Sequence, residues 1–300
     1  AIYKTTDFDM RQYKRLKMFV HAEKVNEFDD YKKGDLSLFI RLGTDFTNNY
    51  YEYEVPLTFT PWYVGASNRE AIWSPDNELD IDLEQLVKVK ENRNARIRSN
   101  DLTVSSSIPY YENYEGRKMT VLGTPNIAGV KVIMIGIRNP KKQSLNDDDD
   151  MLPKSAEIWI NELRLTDFNR SGGWAATGFA RANLADLGDV SLSASYRSAG
   201  FGGIEQKISE ISQDNIGTID IATNIEVGKL FPEKIGIRLP VHFDYSQSVS
   251  NPKYNPLDPD VKLENDLMSY RSEREKDSIR HLVQDYVSRT NLNFMNIRKD

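Results

Sequence analysis

Between Ile216 and Ser246 the chain reads IGTIDIATNIEVGKLFPEKIGIRLPVHFDYS, alternating polar and apolar residues on both sides of one short turn. Successive side chains of a β-strand point to opposite faces, so this alternation specifies strands with two unlike faces. On the first strand Ile219, Ile221, Ile225 and Val227 share one face, and Asp220, Asn224 and Glu226 share the other. On the second, Ile235, Ile237, Leu239, Val241, Phe243 and Tyr245 stand opposite Arg238, His242, Asp244 and Ser246. Each predicted strand, Ile216 to Val227 and Lys234 to Ser246, is about twice the usual soluble length of ~5–6 residues. At ~3.3 Å per residue and a tilt near ~45°, either is long enough to cross a hydrocarbon layer ~30 Å thick.

Two environments satisfy such a ribbon. In a soluble sheet the apolar face meets a core and the polar face meets water. In a membrane barrel the apolar face meets lipid and the polar face lines a wet lumen. Connection lengths favour the second: ADLGD and GKLFPEK are short, while the segments after Phe201 and after Ser246 are long. Outer-membrane barrels have short periplasmic turns and long outer loops. Trp174, Phe201, Phe231, Phe243 and Tyr245 fall near strand ends, where an interfacial aromatic girdle sits. Four or five strands cannot close a barrel, and an open edge in lipid leaves backbone groups unpaired. On this reading the chain is an internal fragment of something larger. With ADLGD as a periplasmic turn, the strand near Trp174 descends from outside, which places residues 1–168 on the extracellular side.

Those first 168 residues have a different texture. RLKMFVHA, DLSLFIRLG and YYEYEVPLTF alternate as half-buried antiparallel strands, whereas VKVIMIGIRN is apolar on both faces and is expected in the middle of a packed sheet. DLEQLVKVKENR is a short helix candidate with Asp82 as N-cap. Seven or so strands with turns between them predict a β-sandwich of the jelly-roll sort over residues 1–168. Gly172 and Gly173 mark the break. Residues 169–300 then read as long hairpins, with a proline-rich loop and a helix at about 250–287. The expected fold class is all-β: a sandwich followed by transmembrane barrel hairpins, with one or two short helices in loops.

Composition narrows the function. A length of 300 residues is a length for about two domains. A net charge of -6 argues against nucleic acid as a partner. The absence of cysteine excludes disulfides, thiolate metal sites and cysteine nucleophiles, without naming a compartment. The opening AIYKTTDFDM has no signal-peptide pattern, which fits either a cytoplasmic protein or a mature or internal segment. No stretch approaches the ~20 apolar residues of a membrane helix, and hydropathy does not detect a barrel.

No residues combine into a catalytic, metal or cofactor site. The acidic run Asp147 to Asp150 lacks the glycine and closing glutamate of a calcium loop, and a solvated loop is the better reading. His21, His242 and His281 are scattered. Trp62, Tyr63 and Trp73 are candidate stacking platforms for a glycan, although such aromatics more often fill a core. The alternatives to a membrane barrel are therefore a surface adhesin or carbohydrate-binding module and, further off, a glycoside hydrolase fragment.

Several phrases together resemble one family. LKMFVHAEK, GDLSLFIRLGTDFTNNYYEYEVPL, AEIWINELRLTDFNRSGGWAATGFARANLADLGDVSLSASYRS and NPKYNPLDPDV are similar to SprA/Sov, the giant outer-membrane translocons of type nine secretion in Bacteroidota, tied to gliding motility. The resemblance implies a barrel of about 36 strands, a count that the family supplies and these residues do not. It implies an extracellular cap, a lateral opening and no enzymatic activity. The partners it implies are outer-membrane lipid, a smaller β-barrel shuttle protein, a periplasmic plug protein, and secreted cargo proteins with C-terminal signal domains.

Overall fold

Alternating strands bury one face only if something covers it, and the two halves of the chain meet that requirement differently. The computed structural model describes residues 1–140, 152–169, 172–206 and 210–299. It divides into two units, Ala1–Arg170 with Leu257–Val261, and Ser171–Pro256 with Lys262–Asp300.

The first unit pairs nine strands into two antiparallel sheets. Six of them, β1 (Ile2–Phe8), β3 (Ser37–Gly43), β4 (Tyr50–Pro56), β6 (Tyr110–Tyr114), β7 (Arg117–Leu122) and β8 (Val130–Arg138), form one sheet in the order β1-β8-β3-β4-β7-β6. The other holds β5 (Leu79–Asp82), β2 (Tyr13–Lys24) and β9 (Ala156–Phe168) in the order β5-β2-β9. The core takes alternate residues from facing strands: Leu16, Met18, Val20 and Ala22 from β2, Leu38, Ile40 and Leu42 from β3, and Tyr51, Tyr53 and Val55 from β4. All are apolar positions of the sequence alternation.

Helix α1 (Arg69–Ile72) is a single turn, whereas α2 (Leu83–Arg98) is a principal element. The Asp82 carboxylate caps α2, accepting from Glu84 N at 2.9 Å and Gln85 N at 3.3 Å. Leu83, Leu86, Val87 and Val89 are buried. The helix runs to Arg98, well past the short stretch that the sequence suggests, and its last turn carries Arg96 and Arg98 against the negative end of the dipole.

Two features of this unit differ from expectation. Strand β8 does lie inside its sheet, between β1 and β3, but it is mostly half-buried, and Ile137 and the neighbouring Ile2 are exposed. Three strands and a helix do not cover six strands. Conversely, Glu52 and Glu54, on the polar face of β4, are 4% and 9% exposed. Arg41 Nε donates to Glu52 at 2.6 Å, and Arg138 spans Glu52 and Glu54. Both guanidiniums lie over the Phe39 ring, at 5.3 and 4.6 Å from its centroid. Paired charges thus roof this outer face.

In the second unit, β10 (Ala175–Asn183), β11 (Gly188–Arg197), β12 (Asp214–Glu226), β14 (Pro240–Pro252) and β17 (Asp285–Phe294) form one antiparallel sheet in that order. The two-residue strands β13 (Ile237–Arg238) and β18 (Arg298–Lys299) pair beside it. Short strand β15 (Tyr254–Asn255) follows β14; β16 (Asp258–Lys262) comes next in the chain, its residues up to Val261 belonging to the first unit, and then helices α3 (Leu263–Met268) and α4 (Glu273–Val283). The single helix expected after the proline-rich loop is therefore two. Ser272 opens the second with a capping box, its hydroxyl accepting from Glu275 N while Glu275 accepts from Ser272 N. The second long strand also starts and ends later than expected. A 3-10 turn holds Glu233–Ile235, and β14 continues past Ser246 to Pro252, so positions 250–252 are strand and not loop.

Candidate functional site

Register fixes the two faces of the five-stranded sheet. Leu192 pairs Ile221, Ile221 pairs Tyr245, Thr223 pairs Phe243, and Phe243 pairs Leu292, so these share one face. Asp189 pairs Asn224 and Asn224 pairs His242, while Ser193 pairs Asp220 and Asp220 pairs Ser246, on the other.

The polar face is tied together from strand to strand. Arg181 on β10 donates to Asp189 on β11 at 3.2 Å, and Asn224 on β12 donates to the same carboxylate at 3.2 Å. Asn224 Oδ1 meets His242 Nδ1 on β14 at 2.7 Å, and His242 Nε2 meets Asp244 at 3.0 Å. Asn291 on β17 closes the row, donating to Asp244 at 2.8 Å. One chain of polar contacts therefore crosses all five strands. A second row joins Ser193 and Ser246 to Asp220, at 3.2 and 2.6 Å. Side-chain amides and hydroxyls satisfy these charges, with Arg181 as the cation in the long row.

Among the described residues, much of the apolar face stands exposed. Ile219 is 46% exposed, Leu192 42%, and Leu292 and Phe294 54% each. Every residue of β10 and of β17 is exposed, and among the described residues these outer strands pair only on their inner sides. Aromatic rings flank the face: Trp174 stacks on Tyr196 at 4.8 Å near one end, with exposed Tyr286 on β17, and Phe243 and Phe294 lie toward the other. From Tyr286 to Phe294 the strand rises roughly 26 Å, close to the ~25 Å apolar band of an outer-membrane barrel.

Connections alternate in length. The β10–β11 link is a single 3-10 turn, Ala185–Leu187, ending at Gly188, whose φ is 150° and where a Cβ would sit 1.9 Å from the Asn224 carbonyl. At the opposite end of β10, Gly173 lets the backbone pass the Phe201 amide, where a Cβ would sit 2.0 Å away. The longer β11–β12 and β14–β17 connections leave from that end, because all five strands are antiparallel.

Of the polar candidates, Asp220, Asn224, His242 and Asp244 lie together on the sheet. Glu226, the last residue of β12 and paired with Pro240, accepts from Leu239 N at 2.5 Å where the chain turns, and Arg238 lies in β13, where it pairs Arg298. Of the apolar candidates, Ile219, Ile221, Ile225, Val241 and Phe243 share the sheet's apolar face. Val227 begins a 3-10 turn, Ile235 ends another, Ile237 lies in β13, and Leu239 links β13 to β14. The sequence period continues through those four positions while the backbone turns.

The decisive comparison is with protein families: a family of motility-related/secretion proteins, SprA_N, matches residues 1–267. The chain belongs to that family. No curated protein matches it. The matched span takes in the core strands of the first unit and the sheet of the second through β14 and most of α3, and membership carries a role in secretion or motility at the cell envelope.

Other candidates do not assemble. Among the described residues no group of three or more histidines and carboxylates is placed to hold a metal ion, and Asp147 to Asp150 lie outside them. Trp62 and Tyr63 meet at 87°, so they share no stacking plane, and Trp73 packs on Phe19 and His21. His21 is buried, with its Nδ1 2.6 Å from the Ile72 carbonyl and 3.1 Å from Thr60 Oγ1.

One buried polar cluster escaped the sequence reading. Lys90 and Arg93 continue the inner face of α2, at 0% and 1% exposure. Lys90 Nζ donates to Asp258 Oδ1 and Asp260 Oδ1, at 2.5 Å each, and to the Pro125 carbonyl at 2.8 Å. Asp260 Oδ2 accepts from the Tyr51 hydroxyl at 2.8 Å and from Ile127 N at 3.0 Å. Burial pushes the Asp258 carboxyl up to about 6, with Lys90 opposing and Asp260 reinforcing the rise. Both carboxylates come from Leu257–Val261, a segment the chain inserts into the first unit before returning to the second at Lys262. The signal was present in α2: a lysine and an arginine on an otherwise apolar stripe require buried partners.

Proposed function

We propose that this chain supplies barrel wall and extracellular cap to a protein-conducting outer-membrane channel of type nine secretion. The observation that carries the reading is the five-stranded sheet, exposed over much of its apolar face and tied by polar contacts on the other. In water an exposed apolar face of this extent is an association hazard. Against lipid tails it is at equilibrium, and the Asp189–Asn224–His242–Asp244 row then meets the water of a lumen. The unpaired outer edges of β10 and β17 require further strands on both sides, since lipid cannot satisfy an open edge. Membership in a motility and secretion family supports a transport role over a soluble adhesin.

On this reading the protein resides in the outer membrane of a Gram-negative bacterium, and residues 1–168 form the cap on the extracellular side, where the longer connections also emerge. Its work is passage and hand-over, not an enzymatic reaction. Its partners are membrane lipid, a smaller β-barrel shuttle, a periplasmic plug and secreted proteins with C-terminal signal domains. The test is to extract the full-length protein from envelopes. It is expected to require detergent and to migrate differently on gels before and after heating. Release into buffer without detergent, with unchanged migration on heating, contradicts the proposal.

A further inference from the structure

The cluster around Lys90 has the layout of an acyl-transfer site. A buried amine faces a carboxyl group, a second carboxyl touches the same amine, and two donors are fixed on the far oxygen of the first. We infer that Lys90 and Asp260 of this chain become joined by an intramolecular isopeptide bond, with Asp258 relaying the protons.

Each part follows from a distance. Lys90 Nζ lies 2.5 Å from Asp260 Oδ1, and the two side chains are 1% and 0% exposed. Their encounter is enforced by the fold, and bulk water is excluded. The other Asp260 oxygen receives the Tyr51 hydroxyl at 2.8 Å and the Ile127 amide at 3.0 Å. Two donors converging on one carboxyl oxygen stabilise the negative charge that forms there in a tetrahedral intermediate. Asp258 Oδ1 lies 2.5 Å from the same nitrogen that Asp260 Oδ1 accepts from, and the neighbouring Asp260 carboxyl adds to burial in raising its proton affinity. A carboxyl whose proton affinity burial has raised toward neutrality passes protons in both directions at working pH. The Pro125 carbonyl takes another N–H of Lys90 and so fixes the direction of the nitrogen.

The steps balance without an outside reagent. Asp258 carries one proton from the Lys90 ammonium to Asp260 Oδ1, leaving a neutral amine and a neutral carboxylic acid. The nitrogen lone pair forms a bond to Asp260 Cγ, and the carbonyl electron pair moves onto Oδ2. Asp258 then removes a second proton from the nitrogen and delivers it to Oδ1. The Cγ–Oδ1 bond breaks, one water departs, and an amide remains beside an Asp258 carboxylate. The product ties α2 to β16 across 170 positions of a chain that has no cysteine for a disulfide.

The test is tandem mass spectrometry of protease digests of the full-length protein taken from its membrane. A branched peptide joining the Lys90 and Asp260 arms, one water lighter than their sum, is expected. Recovery of both arms only as separate linear peptides overturns the bond and leaves an ion pair. Asp258→Asn keeps Lys90 opposite Asp260 and is expected to leave most of the chain unlinked; linkage to the wild-type extent in that variant overturns the relay. Lys90→Arg keeps the charge and removes the nucleophile. The branched peptide is expected to vanish from it, and its persistence at this position overturns the assignment.

Discussion

The two units use the same strand alternation to opposite ends. In the first, the apolar face of β4 puts Tyr51, Tyr53 and Val55 into a core beneath a second sheet and α2, and even its polar face is roofed by Arg41 and Arg138. In the second, the apolar face of β12 presents Ile219 to whatever surrounds the molecule, Ile221 stays half-buried, and Leu192 on the neighbouring strand stays exposed. Alternation therefore states that a strand has two faces and not what lies against them. That is decided by strand length, by the layers available to cover it, and by whether its edges close.

The contrast can be broken most strongly inside the first unit. Lys90→Met removes the amine on which Asp258 and Asp260 converge, and with it the bond inferred to Asp260; leaving buried carboxyls without that partner costs at least about 3–5 kcal/mol. Denaturant unfolding of the first unit should show a loss of that size, and a loss under ~1 kcal/mol would mean that the cluster is not closed to water. Next comes the sheet. Ile221→Arg sets a cation on the apolar face near the middle of β12, where, with that face against lipid as proposed, it is expected to cost about 2–4 kcal/mol. Ser193→Arg, on the polar face of the neighbouring strand, should cost well under half of that. Equal losses of folded protein in the membrane from the two substitutions would erase the distinction between the faces.

Smaller effects sharpen the first unit alone. Asp82→Ala removes the cap of α2 and is expected to cost about 1 kcal/mol, read as a lower unfolding midpoint with an unchanged denaturant slope. Asp45 tests pH dependence. Burial opposes its ionisation, but amide donors from Asn48, Thr47 and Asn49, with the Asn49 side chain, outweigh it and hold the carboxyl well below its ordinary value of 3.8. A depressed folded value stabilises above the unfolded value and is lost as pH falls through the folded one. Wild-type stability should therefore decline below about pH 4 by more than that of Asp45→Asn, with a difference near 1 kcal/mol. Parallel curves for the two proteins would remove Asp45 from the account.

Much of this was legible from the residues. The faces of β2, β3, β4 and β12 follow from period-two patterning, and Asp82 announced α2 by its place before an amphipathic run. What was not legible has physical causes. Ile235, Ile237 and Leu239 keep the alternation of the strand that follows, yet Gly236 at φ 65° turns the backbone there, and only Pro240 begins β14. At the other end, SQSVSNP carries no clear alternation, and it becomes strand because Asp214–Thr218 and Asp285–Ser288 pair with it on either side. The Lys90 cluster needed a contact across 168 positions, to a segment whose prolines read as loop.

On the proposed reading the oily side of the second unit's sheet meets lipid and its charged side meets water. Single cysteines can be placed along β12 from Thr218 to Ile225 in the full-length protein, with any cysteine outside these 300 residues replaced by serine, in native membranes. Labelling with a water-soluble, membrane-impermeant maleimide is expected to alternate, strong at 218, 220, 222 and 224 and weak at 219, 221, 223 and 225. Uniform labelling along the strand, or strong labelling at 219 and 221, would contradict the account.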